Sequence, residues 1–293
     1  MTQHPTSVGK YELEQFLGGG MSHVYRAKDR VLGRRVALKL LTEEGTADAE
    51  TKARFLLEAR VASNINHENI IKVYDFGEDR GRLFIVMEFL EGESLRDAIR
   101  NGHLGDLQSR MRIALQVARA LDHIHAHKII HRDVKPENIH VDAGGNIKLV
   151  DFGIAKAEGV QLTRAGFTLG TPQYMAPEQV LGKPLTPQVD IYAFGVLLFE
   201  LLTGVKPLSS GSVEKIFHEI LHVPLNPEPL KIANVPAAVC ALIESCTAKQ
   251  PVARPRTFAP VCEEIERLAR GERPSPVSGH DFSRAGDNGW NQG

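Results

Sequence analysis

The chain has 293 residues, with 35 Lys plus Arg against 36 Asp plus Glu, for a formal net charge of −1. That balance excludes a nucleic-acid binder that works by neutralising phosphates, because such a surface needs a basic excess. Apolar residues at 42% and charged residues at 24% suit a globular chain rather than a disordered one, and the length allows one large domain or two lobes.

No stretch approaches the roughly 18–20 apolar residues of a membrane span. The first ten residues are too polar for a signal peptide. Three cysteines, Cys240, Cys246 and Cys262, with no CxxC, form no disulfide framework. Reduced thiols in a cytoplasmic chain are the expectation.

In chain order, residues 11–89 have the texture of strands with one helical interruption. Residues 24–27 and 35–41 are apolar runs bounded by glycine and charge. Residues 48–62 place Phe55, Ala59 and Ala62 at helical spacing with no Pro or Gly between. Two strands are expected at 70–74 and 83–89, with a hairpin turn over 77–82. After Gly92 the texture turns helical. Residues 107–127 carry Met111, Leu115, Ala118 and Leu121 on one stripe. A loop-and-strand section follows over 129–152, then a long Gly-, Thr- and Pro-rich surface loop over 154–177, and loops of that length are usually functional. Residues 189–203 are apolar nearly all round, the mark of a buried helix. Further helices reach Arg270, and 271–293, rich in Gly, Ser, Pro, Asp and Asn, reads as a disordered tail or linker. The result is a small β-rich lobe and a larger helical lobe, joined near 88–92.

Several blocks carry chemistry. Three glycines in Leu17-Gly18-Gly19-Gly20-Met21-Ser22 let backbone N–H groups approach a phosphate; a glycine-rich hairpin turn explains them equally well. No Walker A pattern is present. Lys39 ends the apolar run Val36-Ala37-Leu38, and an inward-facing lysine needs a partner. Glu58, on the stripe of Phe55 and Ala62, is placed to provide it. His131-Arg132-Asp133-Val134-Lys135-Pro136-Glu137-Asn138 sets a carboxylate and an amide side by side in one loop. Asp151-Phe152-Gly153, after an apolar run, suits a hard-cation ligand at a flexible turn. His123, His125 and His127 alternate on a helix, so only the outer two share a face; a solvated helix end is expected there rather than a zinc site.

Taken in order, and followed by Ala176-Pro177-Glu178, Asp190 and Arg254, these blocks resemble the signature set of the protein kinases over residues 9–270. More narrowly, Gly20-Met21-Ser22 is similar to the glycine loop of the bacterial eukaryotic-like (Hanks-type) Ser/Thr kinases. The resemblance implies an α+β, bilobal kinase fold: a β-rich N-lobe with one key helix (9–88), a hinge (88–92) and an α-helical C-lobe (93–270). It implies ATP with Mg²⁺, Mn²⁺ being the alternative ion. Leu17, Gly18 and Gly20 then lie over the phosphates. Val24, Ala37 and His140 line the adenine pocket, Met87 is the gatekeeper, and Glu88 and Leu90 offer hinge backbone groups.

Lys39, held by Glu58, contacts the α- and β-phosphates. Asp133 accepts or orients the substrate hydroxyl proton, Lys135 neutralises charge near the γ-phosphate, and Asn138 and Asp151 hold the metal. Lys135 and Thr171 are the Ser/Thr form of the site, with Thr171 bonding Asp133 and Lys135 on the substrate platform. Arg132, directly before Asp133, implies a phosphate on the activation loop, at Thr163 or Thr168, added by the enzyme itself. Glu178 and Arg254 are expected as a buried ion pair, Asp190 as the anchor of the catalytic loop, and His131 and Phe152 as members of a packed internal column. Protein substrates and a second copy of the chain, including a homodimer, are the implied partners.

Two departures stand out. The glycine loop is one residue short, and His140 occupies a position where an apolar residue is usual, so its pKa should be pushed down. A pseudokinase that only binds and regulates is the runner-up reading. A small-molecule phosphotransferase is disfavoured by the intact segment 151–178.

Overall fold

The computed structural model describes residues 5–151, 172–208 and 211–270, so Phe152, Thr163, Thr168, Thr171 and the segment 271–293 lie outside the described residues. Strands β1 (Ser7–Val8), β2 (Tyr11–Gly19), β3 (Ser22–Asp29), β4 (Arg35–Leu41), β5 (Val73–Asp79) and β6 (Arg82–Glu88) form one antiparallel sheet in the order β1-β2-β3-β4-β6-β5. Alternation along β4 and β6 sends side chains to two cores. Val36, Leu38, Leu40, Phe84 and Val86 pack with Tyr11 and Tyr25 on one face. Ala37, Leu41, Leu83, Ile85 and Met87 pack on the other against Phe55 and Ala59 of the helix α2 (Ala49–Asn64). Burial on both faces is why these two strands read as continuous apolar runs. Ahead of α2 lies the short helix α1 (Glu43–Ala47). Asp48 caps α2 by accepting from the Thr51 N–H at 2.9 Å, which stops the predicted helix from including Asp48 itself.

The strand expected at 70–74 starts only at Val73. Ile70 and Ile71 are diverted. The Ile71 N–H donates to the Leu149 carbonyl at 2.9 Å, and the Leu149 N–H donates to the Asn69 carbonyl at 2.9 Å. This seam stitches the strand lobe to the helical lobe. The β5–β6 turn is tighter than expected: Arg80 and Gly81 take positive φ (50° and 78°), and Gly77 sits inside β5. Two consecutive positive φ values suit the right-handed twist of a two-residue hairpin.

The second lobe opens with β7 (Glu93–Ser94), α3 (Leu95–Asn101) and α4 (Leu107–Ala126). A 3₁₀ turn (Pro136–Asn138) leads into the ribbon β8 (Ile139–Val141) and β9 (Ile147–Leu149), which joins β7 in a three-stranded sheet. Then come α5 (Pro177–Val180), α6 (Gln188–Thr203), α7 (Val213–His222), α8 (Glu228–Ile232), α9 (Ala237–Cys246) and α10 (Ala259–Ala269). Every residue of α6 from Val189 to Leu202 is buried, as its all-round apolar sequence predicts. It forms the axis on which α4 and α9 pack, with α10 laid against α4 and α9, within one large core that also takes in β8 and β9. No described helix is long and apolar enough to cross a membrane. The three cysteines are free thiols.

Candidate active site

The site lies where β4, α2, the loop before the 3₁₀ turn and the end of β9 meet. On β4, Ala37 and Lys39 share the face that looks toward α2. Val24 pairs directly with Lys39, and Met87, buried, pairs with Ala37. Lys39 Nζ reaches Glu58 Oε1 at 2.7 Å and Asp151 Oδ1 at 3.1 Å. Burial by itself would lower the Lys39 pKa. The Asp151 and Glu58 carboxylates more than offset it and hold the ammonium well above its ordinary value. Lys39 in turn holds Asp151 below the usual carboxylate range, whereas burial pushes Glu58 up. A lysine fixed between two carboxylates from distant segments is a pre-positioned cation.

The loop over 131–138 is built on Asp190, buried in the first turn of α6. Its Oδ2 accepts from the His131 N–H at 2.7 Å and its Oδ1 from the Arg132 N–H at 2.8 Å. His125 Nε2 lies 2.8 Å from the same carboxylate. These partners outweigh burial and keep the Asp190 pKa low. Arg132 is thereby held at φ 66°, a conformation that non-glycine residues rarely adopt and that persists where neighbours over-determine it. The Gln179 amide donates to the Arg132 carbonyl at 3.2 Å and closes the other side. Asp133 Oδ2 then receives Lys135 Nζ at 2.8 Å and Asn138 Nδ2 at 3.0 Å, and Asn138 Nδ2 also reaches the Asp133 carbonyl at 2.8 Å. With its nitrogen so engaged, Asn138 keeps its amide oxygen for another partner.

Asn138 and Asp151 offer hard oxygen donors, the type a small divalent cation takes. Among the described residues no group of three His, Cys, Asp and Glu encloses a metal by itself.

The glycine hairpin is the β2–β3 turn. The register slips between Phe16 and Gly18, then pairs Gly18 with Val24 and Gly19 with His23. Gly18 and Gly19 both take φ 135°, and a Cβ on Gly19 would stand 2.0 Å from the Ser22 carbonyl oxygen. Gly20 has open space and no such constraint. The backbone demand therefore falls on Gly18 and Gly19 rather than on Gly20. Leu17 is exposed at the slip. The tip is moored: the Thr42 N–H and hydroxyl both donate to the Met21 carbonyl, at 3.1 and 2.9 Å.

At the join between lobes, Glu88 accepts from the Lys72 N–H at 2.7 Å and pairs with Lys148 at 2.9 Å, while Phe89 and Leu90 pack on the α2-side core. His140 occupies the face of β8 opposite the buried Ile139 and Val141. Burial lowers its pKa, against the pull of its hydrogen bond to the Glu91 backbone, and Nε2 is buried without a partner.

Two features depart from the sequence reading. The histidine run is not wholly a solvated helix end, because His125 is buried on Asp190; only His123 and His127 share a face, with ring centroids 4.5 Å apart. Arg96, which no motif signalled, reaches the catalytic loop from α3. A cavity of about 800 Å³ lies away from all these residues, between α3, α4 and the β8–β9 turn. Its lining holds none of the catalytic candidates, so the site rests on the side-chain geometry.

The sequence matches the protein kinase domain family over residues 11–265. It is 37% identical over 276 residues to the serine/threonine-protein kinase PknA of Mycobacterium tuberculosis, covering 92% of this chain and 63% of that protein. It is 40% identical over 268 residues to PrkC of Bacillus subtilis, covering 90% and 41%. For pkn3 of Myxococcus xanthus the identity is 38%, with 90% and 51% covered. The chain thus spans between two fifths and two thirds of the length of these relatives. Among solved structures, Rad53 1-466 in complex with AMP-PNP superposes with a TM-score of 0.71 at 26% identity, covering 89% of this chain and 65% of that one.

Proposed function

Because the chain belongs to the protein kinase domain family, we propose that it transfers the γ-phosphoryl group of ATP to serine and threonine hydroxyls of proteins. The observation that carries this reading is one constellation: Lys39 fixed between Glu58 and Asp151, beside Asp133 fixed by Lys135 and Asn138. The AMP-PNP of the neighbouring structure and the names of the bacterial relatives support the nucleotide and the acceptor class.

Phosphoryl transfer asks little covalent work of a protein, so positioning and charge neutralisation dominate. Lys39 neutralises the α- and β-phosphates. The Asp133 carboxylate takes the hydrogen bond of the acceptor hydroxyl and points its oxygen at phosphorus. Lys135 covers the charge that shifts onto the γ-phosphoryl oxygens. Asn138 and Asp151 would hold Mg²⁺, which when bound supplies neutralisation between the phosphates. Lys135, two residues beyond Asp133, supports a Ser/Thr acceptor. The chain is also its own substrate in this reading, with Thr163 ahead of Thr168 as the acceptor on the activation loop, and protein substrates and a second copy as its partners.

The test is incorporation of radiolabelled phosphate from ATP with Mg²⁺, followed by mass spectrometric mapping. Asp133→Asn is expected to lower turnover by about 10²- to 10⁴-fold, the range for a lost general base. Label on Thr163 or Thr168 that vanishes in this variant is the expected result. Nucleotide binding without any label would instead favour a regulatory module.

A further inference from the structure

The seam between the two lobes turns on one histidine. Between α2 and β5 the chain runs through His67-Glu68-Asn69-Ile70-Ile71. His67 Nδ1 accepts the Asn69 N–H at 3.0 Å, and the His67 carbonyl accepts the Ile70 N–H at 3.1 Å. Asn69 is buried. Its carbonyl accepts the Leu149 N–H at 2.9 Å, and its side-chain amide donates to Gln116 Oε1 at 2.9 Å and to the Ile147 carbonyl at 3.2 Å. Gln116 Oε1 also accepts the Ile147 N–H at 3.0 Å. One imidazole lone pair thus holds the residue that ties β9 to the junction of the lobes.

An imidazole nitrogen that accepts an N–H carries no proton of its own, so the neutral His67 ring has its hydrogen on Nε2. Protonation places a second N–H on Nδ1. Two donors then face each other, and a buried backbone N–H loses its acceptor, which costs more than an ordinary hydrogen bond contributes. The surroundings also resist the proton. The His123 ring of α4 packs on His67 with centroids 5.0 Å apart, and the His127 ring packs on His123 at 4.5 Å. His123 Nε2 is buried without a hydrogen bond. Arg119 of α4 and Lys148 of β9 add positive charge near His67, while Glu68 beside His67 and Asp122 beside His123 oppose it. Arg119 is paired with Glu266 at 2.7 Å and Lys148 with Glu88 at 2.9 Å, which weakens both. Burial first, and then the neighbouring ring, lower the pKa of His67 and of His123.

We infer that His67 is a proton-operated latch on the lobe junction: neutral, it holds Asn69 and through it β9, the strand that leads to Asp151; protonated, it lets the seam go. The latch belongs to the fold, so it stands independently of the reaction proposed above. Its sign follows from linkage. With the folded value below the ordinary 6.5, the unfolded chain takes up the proton first as pH falls. The contribution of the latch is complete above that ordinary value and is lost as pH drops through the folded one. A histidine suits the task because its proton comes and goes in the range where other side chains keep their charge.

The test sets wild type beside His67→Asn. Asparagine can still accept the N–H two residues on, the geometry of an Asx turn, but it does not titrate. In the wild type, the His67 midpoint read by NMR is expected below 6.5. Between about pH 7.5 and about pH 5, on either side of the ordinary histidine value, the wild-type Tm is expected to fall relative to the variant by about 2–4 °C. That is the shift for one lost hydrogen bond in a domain of this size. The Ile71 and Leu149 amides, which carry the seam, should exchange faster in wild type than in the variant at the lower pH and equally at the higher. His123→Gln should raise the His67 midpoint, because it removes the neighbouring basic ring. A purely structural histidine would shift Tm by the same amount at every pH. Parallel Tm curves, or a wild-type His67 that titrates at or above 6.5, overturn the inference. If His67→Asn does not fold, the wild-type midpoint decides alone.

Discussion

Lys249 shows how a single charge can be held against its surroundings. Its ammonium donates to the Ile220 carbonyl at 2.8 Å and the Glu219 carbonyl at 3.3 Å, at the end of α7, and it faces the Tyr192 ring at 5.8 Å. Burial, and then the Arg254 guanidinium, lower its pKa to about 8. The sign of the consequence follows from linkage. Between about pH 8 and the ordinary lysine value of about 10.4 the unfolded chain holds a proton that the folded chain has released, so stability rises with pH in that window. Lys249→Met should remove this component, so the difference in Tm between wild type and variant should grow in favour of wild type from pH 8 to pH 10.5. A difference that stays constant over that range would contradict the low pKa. The same physics acts on His140, whose burial lowers the pKa of its ring at a position where an apolar residue is usual.

At the scale of elements, the glycine hairpin is set by its moorings as much as by its glycines. Thr42 is central: its hydroxyl donates to the Met21 carbonyl at 2.9 Å and accepts from the Gly45 N–H at 3.0 Å, tying the hairpin tip to the end of β4 and to the start of α1. Thr42→Val keeps the shape and loses both bonds. KM for ATP should rise about fivefold, the factor for roughly 1 kcal/mol of one net hydrogen bond, with kcat little changed, and Thr42→Ser should restore it. Steady-state kinetics with an unchanged KM in the valine variant would show that the mooring does not position the loop. Gly19→Ala should raise KM further, because its Cβ has no room beside the Ser22 carbonyl, whereas Gly20→Ala should be tolerated. This contrast was not legible in the sequence. Three adjacent glycines look alike, and only the register slip at Leu17 decides which of them bears the strained φ. By contrast, α2 and α6 were legible almost to the residue, since their periodicity reflects which faces are buried.

Across the whole molecule, what could be read in advance were groups that cannot be buried alone. Lys39 required an acid and found Glu58, whereas the buried Arg254–Glu178 pair was expected only from the resemblance to the kinases. The Arg96 cluster, the Ile71–Leu149 seam and His125 on Asp190 were hidden, because each depends on how separate segments pack and none of their residues has a distinctive local pattern. The Glu178–Arg254 pair has the widest reach. Both side chains are almost fully buried, with contacts at 2.6 and 2.9 Å. Arg254 also donates to the carbonyls of Ala248, Gln188 and Lys249. It therefore staples α5, which follows the substrate platform, to the start of α6, which carries Asp190, and to the linker beyond α9. Arg254→Met strands the Glu178 carboxylate and should cost about 3–5 kcal/mol, a large share of the roughly 5–15 kcal/mol that stabilises a typical domain. Glu178→Gln alone strands the guanidinium less severely, because three backbone carbonyls still receive it. Joining the two substitutions should recover part of the Arg254→Met loss, since no uncompensated charge remains. Denaturant unfolding of the two single variants and the double variant reads that coupling directly, and simple additivity would mean that the stability resides in the carbonyl bonds and not in the ion pair.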